Sequence, residues 1–311
     1  MKNYGFPYKG SKNRLAEKIV KLFPDAENFY DLFCGGCAIT HRALIENRWK
    51  NYVINDIDSR CPKLFLDAIN GKFKDETRWI SREDFHRLKD NDGYVAFCWS
   101  FGNDGSSYLY SKEKEPYRKA LHYAIVFGDY SLGKELGMDL SVVDGIKCVT
   151  NRRLFLQQYL KGKDSPLKRS ISKNNILHAL KRLQSLESLE SLERLERLER
   201  LERLERLESL CKSYDEIKIK PNSIIYCDIP YKGADKYNNI DFDYKRFYSW
   251  SKNQTELCFI SSYEMPEDFI PIADFPHRSI LSATKNNRVI EKVFIPKHQL
   301  DLYKARFSAC I

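Results

Sequence analysis

Residues 28–37 read NFYDLFCGGC, an apolar-aromatic run that ends on two glycines and governs the reading of the whole chain. The run predicts a buried strand over residues 28–33, and the glycines predict a tight turn into a helix over residues 38–46. A second buried strand is predicted at Tyr52 to Ile54, and it ends at the acidic residue Asp56. Strand, helix and strand in this order are typical of a parallel sheet with right-handed crossovers.

The remaining patterns divide the chain into four parts. We expect an α/β protein whose doubly wound, mostly parallel, Rossmann-like sheet is built from residues 1–78 and 212–311. Residues 79–182 are rich in polar turns and tyrosines and read as an insertion of helices and loops. Residues 183–211 carry leucine at every third position, so the leucines advance about 300° per repeat and spiral around a helix. We therefore expect a spacer helix there. Further expected elements are a helix over residues 12–23 and strands over residues 216–219, 224–227, 257–261 and 289–295.

Composition excludes several classes of protein. The 311 residues are 42% hydrophobic and 13% aromatic, which favours a packed core. No apolar run approaches the ~18 residues of a membrane helix, and the polar, basic start lacks the apolar segment of a secretory signal. The nine cysteines are scattered, so reduced thiols in a cytoplasmic protein are expected.

One close cysteine pair raises the question of a metal site. Cys34 and Cys37 are followed by His41, which could make half of a zinc site. No second pair of ligands follows at metal spacing, so we expect no metal.

Charge is concentrated in one segment. The net charge is +9, from 52 basic and 43 acidic residues. Between Lys147 and Arg182 there are ten basic residues and one acidic residue, Asp164. Such a local excess indicates a polyanionic partner, although a solvated surface without a partner explains the charge equally well.

Two acidic residues follow the first two predicted strands, where a parallel sheet binds its ligands. Asp31 precedes the glycine turn, which lets the backbone approach a ligand closely. Asp56 suits the hydroxyl groups of a ribose, the alternative being a helix cap. The full dinucleotide spacing G-x-G-x-x-G is missing, which counts against NAD.

A third acidic residue opens the tetrapeptide Asp228-Ile-Pro-Tyr231 after the strand at 224–227. The Asp228 carboxylate and the backbone carbonyl of Ile229 could accept the hydrogens of a planar amine, while the Tyr231 ring could stack on a base. A turn containing Pro230 and a surface tyrosine is the alternative. Near the start, Tyr8 to Lys12 is either a mobile basic arm or a ligand cap.

Together these residues resemble the DNA adenine-N6 methyltransferase family, in the motif order of Dam-type enzymes. The similar segments are residues 6–12 (FPYKGSK) for the N-terminal cofactor motif, 31–37 (DLFCGGC) for the glycine motif, 55–58 (NDID) for the ribose motif and 228–231 (DIPY) for the D-P-P-Y catalytic motif. The insertion lies where these enzymes carry their target-recognition region.

The resemblance implies methyl transfer from S-adenosylmethionine to N6 of an adenine flipped out of double-stranded DNA. It implies no metal, a monomer, and a role beside a partner restriction endonuclease as one option. The implied catalytic residues are Asp228, Ile229, Pro230 and Tyr231; the implied cofactor contacts are Tyr8, Lys12, Asp31, Phe33, Gly35, Asp56 and Asp228. From the basic segment we expect Arg152, Arg153, Lys168 and Arg169 to hold DNA phosphates.

Two positions depart from the family pattern. Cys37 replaces the last glycine of the glycine motif, and Ile229 replaces the first proline of D-P-P-Y. Ile229 keeps the backbone carbonyl but loses the fixed φ of proline, which bears on the rate. Methylation of RNA adenine or cytosine N4, and a catalytically inactive DNA-binding relative, are the alternative functions.

Overall fold

Residues 3–161, 181–183, 205–232, 242–278 and 288–308 are described by a computed structural model. They fall into two compact units. The first contains the described residues of 1–6, 10–66 and 188–311, and the second those of 7–9 and 67–187. Every helix in the described ranges is too short or too polar to span a bilayer.

The first unit is built on a sheet of seven strands in the described part of the chain. Their order across the sheet is β3-β2-β1-β4-β5-β7-β6. The first five are parallel, and β7 runs antiparallel to both β5 and β6. The strands are β1 (Asn28–Asp31), β2 (Asn51–Asn55), β3 (Leu207–Leu210), β4 (Ser223–Asp228), β5 (Leu257–Ser262), β6 (Phe269–Arg278) and β7 (Arg288–Pro296). This mixed, mostly parallel sheet confirms the expected doubly wound, Rossmann-like sheet.

Helices follow most of the strands, as the crossover rule requires. In the second unit Ser81 caps its helix by accepting a hydrogen bond from the backbone of Asp84. The described helices are α1 (Ala16–Val20), α2 (Ala38–Glu46), α3 (Arg60–Ile69), α4 (Arg82–Leu88), α5 (Glu115–Val126), α6 (Ser131–Glu135), α7 (Val149–Lys161), α8 (Tyr244–Lys252) and α9 (Leu300–Ser308). A π-helical turn spans Tyr94–Cys98.

The core of the first unit lies around the central strands, where β1 and β5 are buried at every residue. Such continuous apolar runs are typical of parallel strands covered on both faces. The Phe23 ring lies 4.8 Å from that of Phe259 and 5.6 Å from that of Tyr226. This packing fixes the central strands, and with them the residues at their carboxyl ends.

The third strand is not where the sequence predicts it. The strand expected at 216–219 is wrong, because Tyr214–Glu216 form a 3-10 turn. Leu207–Leu210, the end of the leucine repeat, forms β3 instead, so the expected spacer helix does not extend through these residues. Pairing with the open edge of β2 outweighs helix propensity, and the Tyr52 N–H donates to the Arg206 carbonyl at 2.9 Å. Repeat residues 184–204 lie outside the described ranges.

Two other elements differ from expectation. The first helix covers only Ala16–Val20 rather than residues 12–23, and Pro24 follows soon after its end. Strand β6 was not expected at all, because Pro271 and Pro276 interrupt its sequence. Proline removes a backbone donor, so such a strand is tolerated at a sheet edge, which is where β6 lies.

Candidate active site

The strand order reverses between β1 and β4, and ligands of open α/β sheets bind at such a point, outside the carboxyl ends of the strands. Asp31 is the last residue of β1 and Asp228 the last residue of β4. Asp56 directly follows β2. The fold therefore brings three acidic residues, predicted from separate segments, to one edge of the sheet.

Lys12 connects the N-terminal segment to the end of β4. Its Nζ donates to Oδ1 and Oδ2 of Asp228 at 2.7 and 2.8 Å, and to the hydroxyl of Tyr231 at 2.6 Å. The side chain of Lys12 is 7% exposed. A buried ammonium with three short contacts is a fixed charge rather than part of a mobile arm.

Glu291 and Tyr263 complete this cluster, and neither was expected from the sequence. The Tyr231 hydroxyl donates to Oε1 and Oε2 of Glu291 at 2.9 and 2.8 Å. The rings of Tyr231 and Tyr263 stack with centroids 4.2 Å apart and planes at 19°. The signal for Glu291 was an acid inside an apolar strand run, whereas Tyr263 follows β5 without any distinguishing pattern.

Burial and neighbouring charges determine the ionisation of Lys12 and Asp228. Burial raises the pKa of Asp228 to about 6, with Lys12 opposing the shift and Glu291 adding to it. For Lys12 burial lowers the pKa, but the carboxylates of Asp228 and Glu291 outweigh it, so the net pKa is raised. Lys12 is therefore a cation at neutral pH, and Asp228 is an anion above about pH 6.

The glycine loop, the turn at Gly35 and Gly36 after β1, is held by the other two acidic residues, Asp56 and Asp31. Oδ2 of Asp56 accepts the Gly35 N–H at 2.8 Å, and burial raises the Asp56 pKa to about 6. Oδ2 of Asp31 accepts the Thr40 hydroxyl at 2.6 Å, while its buried Oδ1 has no hydrogen-bond partner. Burial raises the pKa of Asp31 to about 7. An unpartnered buried carboxylate oxygen is costly for the fold, which points to a ligand.

The N-terminal segment packs directly on this loop. Gly5 has φ +63°, and a Cβ atom there would lie 2.0 Å from the Gly36 carbonyl oxygen. The Phe6 N–H donates to the same oxygen at 3.0 Å. Only glycine allows this approach, which anchors the chain shortly before Lys12.

Cys37 takes the position where the family pattern has glycine. Its φ of +53° is left-handed, a conformation that glycine adopts at least cost, yet its side chain is fully buried. Burial raises the pKa of both Cys34 and Cys37, so their thiols are protonated at neutral pH. Nδ1 of His41 accepts the Gly5 N–H at 3.0 Å. In the described ranges no three His, Cys, Asp or Glu residues are grouped to hold a metal ion.

The other predicted cofactor and catalytic residues have distinct surroundings. Phe33 packs 5.5 Å from Tyr214, ring centre to ring centre. Tyr8 belongs to the second unit, where its ring lies 5.2 Å from that of Phe97. The side chain of Ile229 is 2% exposed in the core beneath the sheet edge, so it has a packing role besides its carbonyl. The carbonyl of Pro230 accepts the Tyr244 hydroxyl at 3.1 Å.

The four predicted phosphate-binding residues are only partly described. Lys168 and Arg169 lie outside the described residues. In α7, Arg152 donates from Nε to the Ile146 carbonyl at 2.5 Å and from Nη1 to the Ile125 carbonyl at 3.2 Å. Arg153 is half-exposed. Arg152 thus stabilises the second unit, whatever else it contacts.

Residues 8–127 match the model of the D12 class N6 adenine-specific DNA methyltransferase family. The matched stretch is less than half of the chain, and it is similar to that family. The match supports an adenine-N6 DNA methyltransferase, and the matched residues include Lys12, the glycine loop and Asp56. A comparison with curated proteins gave no match. The tetrapeptide 228–231, Tyr263 and Glu291 lie beyond the matched residues.

The orphan carboxylate oxygen leads to a stability prediction for Asp31→Asn. Burial raises the pKa of Asp31 from its ordinary 3.8 to about 7. Ionisation of Asp31 therefore lowers the stability of the fold progressively as the pH rises from 3.8 to about 7. We expect the variant to unfold at a higher temperature than wild type at pH 8, with a smaller difference at pH 5. Thermal unfolding at both pH values tests this, with exposed Asp25→Asn as control. An equal difference at both pH values would contradict it.

Proposed function

We propose that this methyltransferase moves the methyl group of S-adenosylmethionine to N6 of an adenine flipped out of double-stranded DNA. The observation that carries the proposal is the Asp228 carboxylate, held at the carboxyl end of β4 by the buried ammonium of Lys12 at 2.7 Å. A fixed anion beside an aromatic ring at a sheet edge suits the exocyclic amine of a base. The family match over residues 8–127 supports adenine in DNA as the substrate.

The residues of the glycine loop fit a nucleoside methyl donor. Asp56 would hold the ribose hydroxyls with the lone pairs that its backbone contacts leave open. The unpartnered Oδ1 of Asp31 suits the ammonium of the donor's amino acid part. Gly35, Phe33 and Lys12 complete the proposed contacts within the first unit. The donor, when bound, supplies an electrophilic methyl group on a sulfonium.

At the target, Asp228 and the Ile229 carbonyl would accept the two amine hydrogens. The amine lone pair is conjugated into the purine ring, and two fixed acceptors favour the tetrahedral geometry that frees it for attack. Lys12 keeps Asp228 ionised, and the Tyr231 ring would stack on the base. The amine is inaccessible in a stacked duplex, which is why flipping is part of the proposal.

The alternatives are less well supported. The family match favours adenine in DNA over RNA adenine or cytosine N4. The intact Lys12–Asp228 pair favours an active enzyme over an inactive DNA-binding relative. The proposal keeps the expected cytoplasmic location and monomeric state, and it requires no partner restriction endonuclease.

The first test concerns the tetrapeptide. Asp228→Ala should lower the single-turnover rate of N6-methyladenine formation by about 10² to 10³, as expected for the loss of one transition-state hydrogen bond, with DNA affinity retained. Asp228→Asn should lie between that variant and wild type. Ile229→Ala should instead destabilise the fold by about 2–5 kcal/mol and leave the rate of the folded protein near wild type. A near-normal rate for Asp228→Ala beside a large loss for Ile229→Ala would overturn the mechanism.

The second test concerns the phosphate contacts of α7. Arg153→Gln should weaken binding to all DNA sequences and flatten the plot of log affinity against log salt, because one phosphate contact is lost. Arg152→Gln is the matched neighbour, and it should lower the unfolding temperature because its guanidinium holds two backbone carbonyls. An unchanged salt slope for Arg153→Gln would exclude that residue from the DNA interface.

A further inference from the structure

Glu291 is a buried carboxylate that none of the recognised motifs includes. It lies in β7 and is 2% exposed. Both of its oxygens accept the Tyr231 hydroxyl, and Oε1 lies 4.0 Å from Nζ of Lys12. Neighbouring buried positions of the strand are apolar, among them Val293 and Ile295. A buried carboxylate lowers the stability of the fold unless hydrogen bonds and opposite charges compensate it. Its position beside Lys12 and Tyr231 therefore suggests a functional role.

The hydrogen bonds of this cluster have one consistent direction. An ammonium has three donors, and those of Lys12 contact the two oxygens of Asp228 and the hydroxyl of Tyr231. The Tyr231 oxygen can accept from Lys12 because its own hydrogen points to Glu291. Glu291 therefore determines the hydroxyl's orientation, and through it the position of Lys12 against Asp228.

We propose that Glu291 is a positioning residue for methyl transfer, which fixes the ring of Tyr231 and holds Lys12 in contact with the Asp228 carboxylate. The inference rests on the proposed function, since Asp228 is there the acceptor of the target amine. Glu291 touches neither the base nor the donor in this account, and its effect reaches the amine through Tyr231 and Lys12.

The charge of Glu291 has a separate, measurable consequence. In the described part of the chain, the charged or titratable groups that interact with Asp228 are Lys12, Glu291, Asp56, Asp31, Cys227, Tyr226, Tyr231 and Tyr263. The negative charge of Glu291 opposes ionisation of Asp228 and so raises its pKa. Removing that charge should let Asp228 ionise at a lower pH, which moves the acidic limb of the methylation profile to lower pH.

The experiment compares wild type with Glu291→Gln, which keeps the size and one acceptor for Tyr231, and with Glu256→Gln as control. Glu256 lies just before β5, at the opposite end of the strands, where it contacts Ser223 and Arg306. Single-turnover rates are measured on DNA from pH 5 to 9 at saturating S-adenosylmethionine. For Glu291→Gln we expect about a tenfold lower plateau rate, because the charge-assisted hydrogen bond from Tyr231 becomes a weaker neutral one, and a midpoint at lower pH. Glu256→Gln should change neither.

A second variant tests whether the effect passes through Tyr231. Tyr231→Phe removes the hydroxyl that links Glu291 to Lys12. In that background Glu291→Gln should cause no further loss of plateau rate, while the shift of the midpoint should persist because it comes from charge. Full additivity of the two rate losses would overturn the positioning role.

A titration of Asp228 in the free protein separates this inference from the proposed function. Carbon-13 NMR of aspartate carboxyls, assigned with Asp228→Asn, should show a lower pKa in Glu291→Gln than in wild type. Absence of methylation by wild type on any DNA would defeat the proposed function, and the titration would still decide whether Glu291 acts on Asp228. An unchanged titration, or an active Glu291→Gln within twofold of wild type and with the same midpoint, overturns the inference.

Discussion

The ion pair between Lys12 and Asp228 is the contact on which the candidate site depends. An ammonium that is 7% exposed needs anionic partners, and Lys12 finds both oxygens of Asp228 within 2.8 Å. The pair joins positions 216 residues apart in the chain. It forms only because Gly5 lets the N-terminal segment pack on the glycine loop, and because the sheet reverses its order between β1 and β4.

Three buried acidic residues at the same edge of the sheet lower the stability of the fold. Burial raises the pKa values of Asp31, Asp56 and Asp228, so each is ionised at pH 8 at the expense of stability. An acidic edge suits a cationic methyl donor and an amine, but it repels phosphates. The excess of positive charge between residues 147 and 182 is the part of the sequence that we propose to contact the phosphates of DNA.

Much of the sheet could be predicted because its central strands are continuous apolar runs, and the acids at their ends follow from that. Strand β3 could not be predicted, because a three-residue leucine period matches neither a helix nor a strand. Pairing with the free edge of β2 determines that these residues form a strand. Strand β6 could not be predicted because Pro271 and Pro276 are unfavourable inside a strand. Glu291 reaches the site because β7 pairs antiparallel with β5, and the sequence around Glu291 does not reveal that pairing. Tyr263 directly follows β5 and has no distinguishing pattern. The burial of Ile229 likewise depends on α8 and its Phe247.

The most direct test of this account is the single-turnover methylation rate of Lys12→Met on DNA at saturating S-adenosylmethionine. Methionine keeps the unbranched length of lysine but has no charge and no donor. If the ammonium keeps Asp228 ionised and in place, the rate at pH 8 should fall by about 10² or more, with DNA affinity unchanged. A rate within twofold of wild type would contradict the central role of the ion pair.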